Sequence, residues 1–126
     1  MTQLVVANHA RHIWKTLGPG FSERVYHNAM EVCLRKSGTP YETERIIPVV
    51  FDNHVLGNLR ADLIVDQNLV VELKSVRCIK EEHYVQARLY LRLLGLTDAL
   101  LINFPTSPTD TPDVFTLNLS SVSLPT

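Results

Sequence analysis

Apolar positions over residues 3 to 17 recur at close to helical spacing: Leu4, Val5, Ala7, Ala10, Ile13, Trp14 and Leu17. Gly18-Pro19-Gly20 stops that helix, because neither residue type continues it readily. A second helix is predicted over about 21 to 37, with Ser22 as its N-cap and Val25, Ala29, Val32 and Cys33 as an apolar stripe. The period then changes. Residues 44 to 51 (ERIIPVVF) are rich in β-branched and aromatic side chains and read as a strand, with Pro48 marking an edge or a bulge. Asp52-Asn53-His54 is turn chemistry. Leu59, Ala61, Leu63 and Val65 alternate with Arg60, Asp62, Ile64 and Asp66 as a second strand, and Leu69 to Val76 is a third after the turn Asp66-Gln67-Asn68. Residues 80 to 94 return to a helical period, with Val85, Leu89 and Leu93 on one side and Gly95 as the cap. Residues 99 to 104 (ALLINF) are an apolar run of buried-strand length. The predicted order is α-α-β-β-β-α-β, and the alternation from Asp113 to Leu119 offers one more edge strand. The fold class expected is α/β (α+β).

Composition narrows this picture. A chain of 126 residues reads as one domain and can bury roughly two-thirds of its unfolded surface. With 45% hydrophobic and 20% charged residues it is neither disordered nor fibrous. Four of the seven prolines follow Phe104, so a domain over 1 to 104 and a Pro/Ser/Thr-rich tail over 105 to 126 are expected. Twelve Lys and Arg balance thirteen Asp and Glu, so a nucleic-acid partner would have to meet a local patch rather than a global basic field. Cys33 and Cys78 are too few for a disulfide framework, and Cys33 sits in an apolar helical stretch. No run approaches a membrane span, and the first residues lack the basic-then-apolar layout of a signal peptide. An intracellular protein, cytoplasmic by default and without a membrane partner, is the expectation.

The candidate chemistry lies on the second and third strands. Glu72 and Lys74 are two apart and share a strand face, among Val70, Val71, Leu73 and Val76. Charges in so apolar a strand are costly to desolvate. A three-residue loop at Asp66-Gln67-Asn68 places Val65 opposite Leu69 and Asp62 opposite Glu72, whereas a two-residue loop would turn Asp62 to the other face. Facing carboxylates repel unless a cation lies between them, and Mg²⁺ takes such oxygen ligands. Lys74 beside them could orient an attacking water or stabilise developing phosphate charge. A surface ion pair on an edge strand is the bland reading of a lone Glu-x-Lys; Asp62 at matching parity favours the metal site. Glu23, Tyr26, His27 and Met30 share a stripe of the second helix, and His83, Gln86 and Tyr90 a stripe of the third. By spacing alone these are solvated faces or core tyrosines, and His83 alone is a surface or capping histidine. No phosphate-binding glycine loop, zinc cluster or nucleophilic serine elbow is present.

At these residues the chain resembles the GxxExxY family of the PD-(D/E)xK nuclease superfamily. The motif stands as Gly20-Phe21-Ser22-Glu23-Arg24-Val25-Tyr26, after the Leu17-Gly18-Pro19-Gly20 turn. Arg60-Ala61-Asp62, Val71-Glu72-Leu73-Lys74, the helix positions His83, Gln86, Tyr90 and Leu91, and Leu101-Ile102-Asn103-Phe104 follow in the family's order. The likeness covers about residues 4 to 104, and the tail departs from it. It implies a restriction-endonuclease-like core, a central mixed β-sheet of four or more strands flanked by helices. It implies Mg²⁺ (or Mn²⁺) held by Asp62, Glu72, Glu23 and the main-chain carbonyl of Leu73. Lys74 would assist the water, and Gln86 and Tyr90 would line the site or hold the phosphate. It also turns the Glu23 stripe toward the sheet.

The first functional expectation is thus a metal-dependent nuclease, with DNA favoured over RNA. Arg60, Arg77, Lys80, Arg88 and Arg92 are candidate backbone contacts, weighed evenly against ordinary surface charge. The second is a non-catalytic nucleic-acid-binding or assembly module on the same fold. A third is a hydrolase of small phosphoesters. A small, nearly neutral domain offers little surface for a duplex, which argues for a homodimer or a targeting partner.

Overall fold

The computed structural model describes residues 2–119. Part of the predicted tail, residues 120–126, lies outside them. Helices α1 (Thr2–Leu17) and α2 (Glu23–Lys36) precede strands β1 (Tyr41–Phe51), β2 (His54–Val65) and β3 (Leu69–Lys74); α3 (Glu81–Leu94), β4 (Asp98–Asn103) and β5 (Asp113–Asn118) follow. The five strands form one sheet in sequence order, with β3 and β4 parallel and every other pairing antiparallel. This is the mixed, helix-flanked sheet of a restriction-endonuclease-like fold.

The sheet has two buried faces. On one, Val6, Ala10 and Ile13 of α1 and Tyr26, Met30 and Leu34 of α2 pack on Leu63, Val65, Leu69, Val71, Leu73, Leu100 and Ile102. On the other, Ala87, Tyr90 and Leu91 of α3 pack on Ala61, Ile64, Val70 and Ala99. Strands β3 and β4 are covered on both sides, which is why they read as continuous apolar runs. The parallel step between them requires a crossover, and α3 supplies it.

Turn chemistry sets the registers. Asp66 and Gln67 both have positive φ, 55° and 65°, and Asn68 N–H closes the turn on Val65 C=O at 3.2 Å. Val65 therefore faces Leu69 as the three-residue loop requires. Asp52 and Asn53 also take positive φ, and a two-residue turn brings Phe51 opposite His54. Pro48 lies in edge strand β1, just before a bulge at Val49/Val50, so its missing N–H costs no inner rung. Gly18 takes φ 68° where α1 ends, a conformation that costs a side-chain-bearing residue free energy.

Three expectations are corrected. The Val25 and Val32 part of the α2 stripe is exposed, while Tyr26, His27 and Met30 are buried. Val85 and Leu93 of α3 are likewise exposed, and Ala87, Tyr90 and Leu91 face the sheet. In both helices the buried face includes polar-tipped side chains that hydropathy alone assigns to solvent. The third strand ends at Lys74 rather than Val76. Buried Asn103 binds both the N–H and the C=O of Val76, each at 2.9 Å, and so draws the chain out of the sheet.

Candidate active site

The site forms where the β2–β3 ladder stops. Its last pair is Leu63 with Val71. One step further Asp62 would face Glu72, and side chains replace the backbone rung. The Asp62 N–H donates to Glu72 Oε1 at 3.2 Å, and the Leu73 N–H donates to Asp62 Oδ2 at 2.9 Å. Each carboxylate satisfies a main-chain donor of the opposite strand, so the strands part without orphaning those N–H groups. A cleft of about 260 Å³ opens there, lined by Glu23, Arg24, His27, Asp62 and Leu73. Ser22 caps α2, its Oγ accepting from Val25 N–H at 3.4 Å, which sets Glu23 in the first turn, where the helix dipole favours a negative charge.

Glu72 lies behind the cleft, only 3% exposed. Burial, and then the Asp62 carboxylate, push its carboxyl well above the ordinary carboxylate range; the Asp62 N–H and Lys74 act in the opposite sense. Lys74 projects toward α3 and donates to Gln86 Oε1 at 3.4 Å. Tyr90 packs from α3 against the side of the sheet that carries Ala61 and Ile64. Burial, with Glu72 and Asp62 adding to it, raises its phenol to about 12, so at neutral pH it remains a hydrogen-bond donor.

The fold thus gathers Asp62, Glu72, Leu73, Lys74, Gln86 and Tyr90 at one strand end, with Glu23 of α2 on the same cleft as Asp62 and Leu73. Of the remaining sequence candidates, Arg77, Lys80, His83 and Arg88 are not among the residues lining that cleft. Arg77 and Lys80 line a separate hollow of about 250 Å³ at the start of α3. Arg88 pairs with Glu81 at 3.8 Å and lies over the Tyr84 ring. His83 Nδ1 accepts the Lys80 N–H at 2.9 Å, the role of a capping residue.

Sequence reasoning missed two parts of the wall. Arg24 lines the cleft and pairs with Glu44 of β1, and Arg60 reaches the same carboxylate at 3.8 Å. The Arg24 hydrogen bond, with added help from the Arg60 charge, holds Glu44 below the ordinary carboxylate range. His27, noted only as one member of a stripe, is buried with Nε2 at 2.9 Å from both Thr43 Oγ1 and Glu31 Oε2. Neighbouring charges on α2 were the one available sign of Arg24; Glu44 gave none, because its place depends on the β1–β2 register.

Among the described residues no three His, Cys, Asp or Glu side chains stand close enough to enclose a metal ion. The donor chemistry nonetheless suits a hard cation. Asp62, Glu72, Glu23 and the Leu73 carbonyl offer oxygen only. Glu72 is a desolvated carboxylate beside a like charge, where a cation would relieve both costs.

A sequence-family model described as the PD-(D/E)XK nuclease superfamily matches residues 1–113. The chain belongs to that superfamily. The member's fold is shared by a solved structure titled "Crystal structure of SSO0001", with a TM-score of 0.58 and 23% identity. The alignment covers 76% of this chain and 50% of that one, so this superfamily member spans half the length of its structural neighbour. No curated protein matches the sequence. Among the described residues no helix is long and apolar enough to cross a membrane.

The raised Glu72 carboxyl has a measurable consequence for this superfamily member. Its proton is held more tightly in the folded than in the unfolded chain, so the associated stability is complete below the unfolded value near 4.5 and is lost as pH rises through the higher folded value. In metal-free buffer, wild-type melting temperature should fall relative to that of Glu72→Gln, which carries no such proton, as pH rises from about 4.5 through the neutral range. Parallel melting curves across that range would contradict the buried-carboxyl assignment.

Proposed function

We propose that the protein is a metal-dependent nuclease that hydrolyses phosphodiester bonds of nucleic acid, with DNA favoured over RNA, and that it is of the GxxExxY type. The observation that carries this reading is Asp62 and Glu72 paired at the parting of β2 and β3, with Lys74 on the same face as Glu72. Asp62, Glu72, Glu23 and the Leu73 carbonyl would hold Mg²⁺ or Mn²⁺. When bound, the ion supplies Lewis-acid polarisation of the phosphate and a more acidic water.

The chain's own residues do the rest. Gln86 steadies the Lys74 ammonium. From there Lys74 orients the attacking water and donates to the charge that develops on phosphate. Tyr90, protonated at neutral pH, supports the carboxylate pair from the α3 side. Glu23 places a second carboxylate across the cleft from Asp62, where it would complete the ion's oxygen shell.

The second reading is a non-catalytic binding or assembly module, acting within a homodimer or with a targeting partner. It is favoured by the absence of a converged three-ligand cluster among the described residues. Melting in Mg²⁺ and in Mn²⁺ separates the two. Wild type should gain about 2.7 kcal/mol of stability at roughly 100-fold excess of ion over its Kd, and Asp62→Asn should gain almost none. A cleavage panel of DNA, RNA and small phosphodiesters then assigns the substrate. Equal melting of the two proteins with and without oligonucleotide, together with no cleavage, would favour the module.

A further inference from the structure

Arg24, Glu44 and Arg60 come from three elements, α2, β1 and β2, and meet beside the acidic cleft. Each guanidinium takes one oxygen of the same carboxylate: Arg24 Nη1 pairs with Oε1 and Arg60 Nη1 with Oε2. Arg24 forms part of the cleft wall with Asp62. Arg60 precedes Asp62 by two residues on β2. The arginine side chains are 57% and 61% exposed, so their remaining N–H donors face solvent. Glu44 reaches them from a backbone φ of 55°, a left-handed conformation that carries a steric cost for any residue with a Cβ. Strain of this kind concentrates at functional sites.

Two forked guanidiniums closing on one planar anion form a geometry suited to phosphate. The internal carboxylate holds them only loosely, because ion pairs this exposed contribute little to stability. We propose that Arg24 and Arg60 form a phosphate-binding subsite for the nucleic-acid strand, beside the phosphate cleaved at Asp62, and that Glu44 occupies this subsite until the strand displaces it. The inference rests on the nuclease reading of the cleft. It adds how the strand is held and which internal group must leave. It also gives a near-neutral protein the local cationic contact that its overall charge does not supply.

Fluorescence anisotropy with a short labelled single-stranded DNA, in the full-length Asp62→Asn background to prevent cleavage, tests it. Arg24→Ala and Arg60→Ala should each weaken binding by about fivefold at low salt and flatten the slope of log K against log salt by about 0.7 per lost phosphate contact. Glu44→Gln should bind more tightly than its parent, because the internal competitor loses its charge. Melting temperatures confirm that each variant is folded. If the parent binds and both arginine variants keep its affinity and slope, the subsite is wrong and the nuclease reading stands. If Glu44→Gln weakens binding as much as the arginine variants do, Glu44 is a brace rather than a displaced stand-in, and the proposal fails. A parent that binds no DNA at any salt concentration overturns the subsite and the nucleic-acid reading together.

Discussion

Lys74→Ala should retain the melting temperature of the wild type within a few degrees while losing metal-dependent cleavage by about 10²- to 10³-fold, the usual cost of deleting one donor to transition-state charge. The side chain is only half-buried, and its recorded partner is Gln86 at 3.4 Å. Its removal therefore opens no cavity and strands no strong hydrogen bond. Glu72→Ala should also abolish cleavage in a folded protein, for a different reason. It takes away a carboxylate oxygen and leaves the Asp62 N–H to water entering the vacated space. Initial rates on a DNA substrate, alongside circular dichroism and melting, check both variants. Full activity in either purified, folded variant would sink the proposed mechanism.

Tyr26→Ala should come close to unfolding the domain. Tyr26 is fully buried and stacks on Phe104, with ring centroids 4.4 Å apart and planes within 3° of parallel. Phe21 meets its ring edge-on. Its hydroxyl donates to the Gly18 carbonyl at 2.6 Å, tying the α1–α2 turn to the core. Truncating a buried aromatic costs about 3–5 kcal/mol, a large share of the ~5–15 kcal/mol that holds a typical domain together. Tyr26→Phe keeps the ring and loses only the tether, at about 1 kcal/mol. Denaturant melts of the pair separate packing from tether. Equal losses in the two variants would mean that the hydroxyl, not the ring, carries the effect. The tyrosine of the Gly20–Tyr26 motif is on this account a structural anchor, and Glu23 and Arg24 are the motif members that line the cleft.

The candidate site was legible to different depths. Asp62 opposite Glu72 followed from the two-residue period of strands given a three-residue loop, while a two-residue loop would have turned Asp62 to the other face. The loop at Asp66-Gln67-Asn68 behaved accordingly, with Val65 facing Leu69. Parting of the strands at that pair was not legible. It depends on carboxylate side chains taking over the N–H groups of the opposing strand, which only the assembled sheet brings within reach. The α2 and α3 stripes were misassigned because the sheet chooses which side of a helix is buried. The α2 side that packs on it carries His27 with its Thr43 and Glu31 partners, so a polar residue is satisfied there and apolar Val32 is left outside.

The element order, the β2–β3 register of a three-residue loop and the charged trio Asp62, Glu72 and Lys74 were thus determined by the amino-acid sequence, because turn propensity, periodicity and the cost of charge in an apolar strand operate over a few residues. Which helix faces turn inward, where Glu23 and Arg24 stand relative to Asp62, and that Glu44 bridges Arg24 and Arg60 were decided by tertiary structure alone. Those contacts join α2, β1 and β2 across long stretches of chain, and their geometry exists only once the sheet has formed and both of its faces are covered.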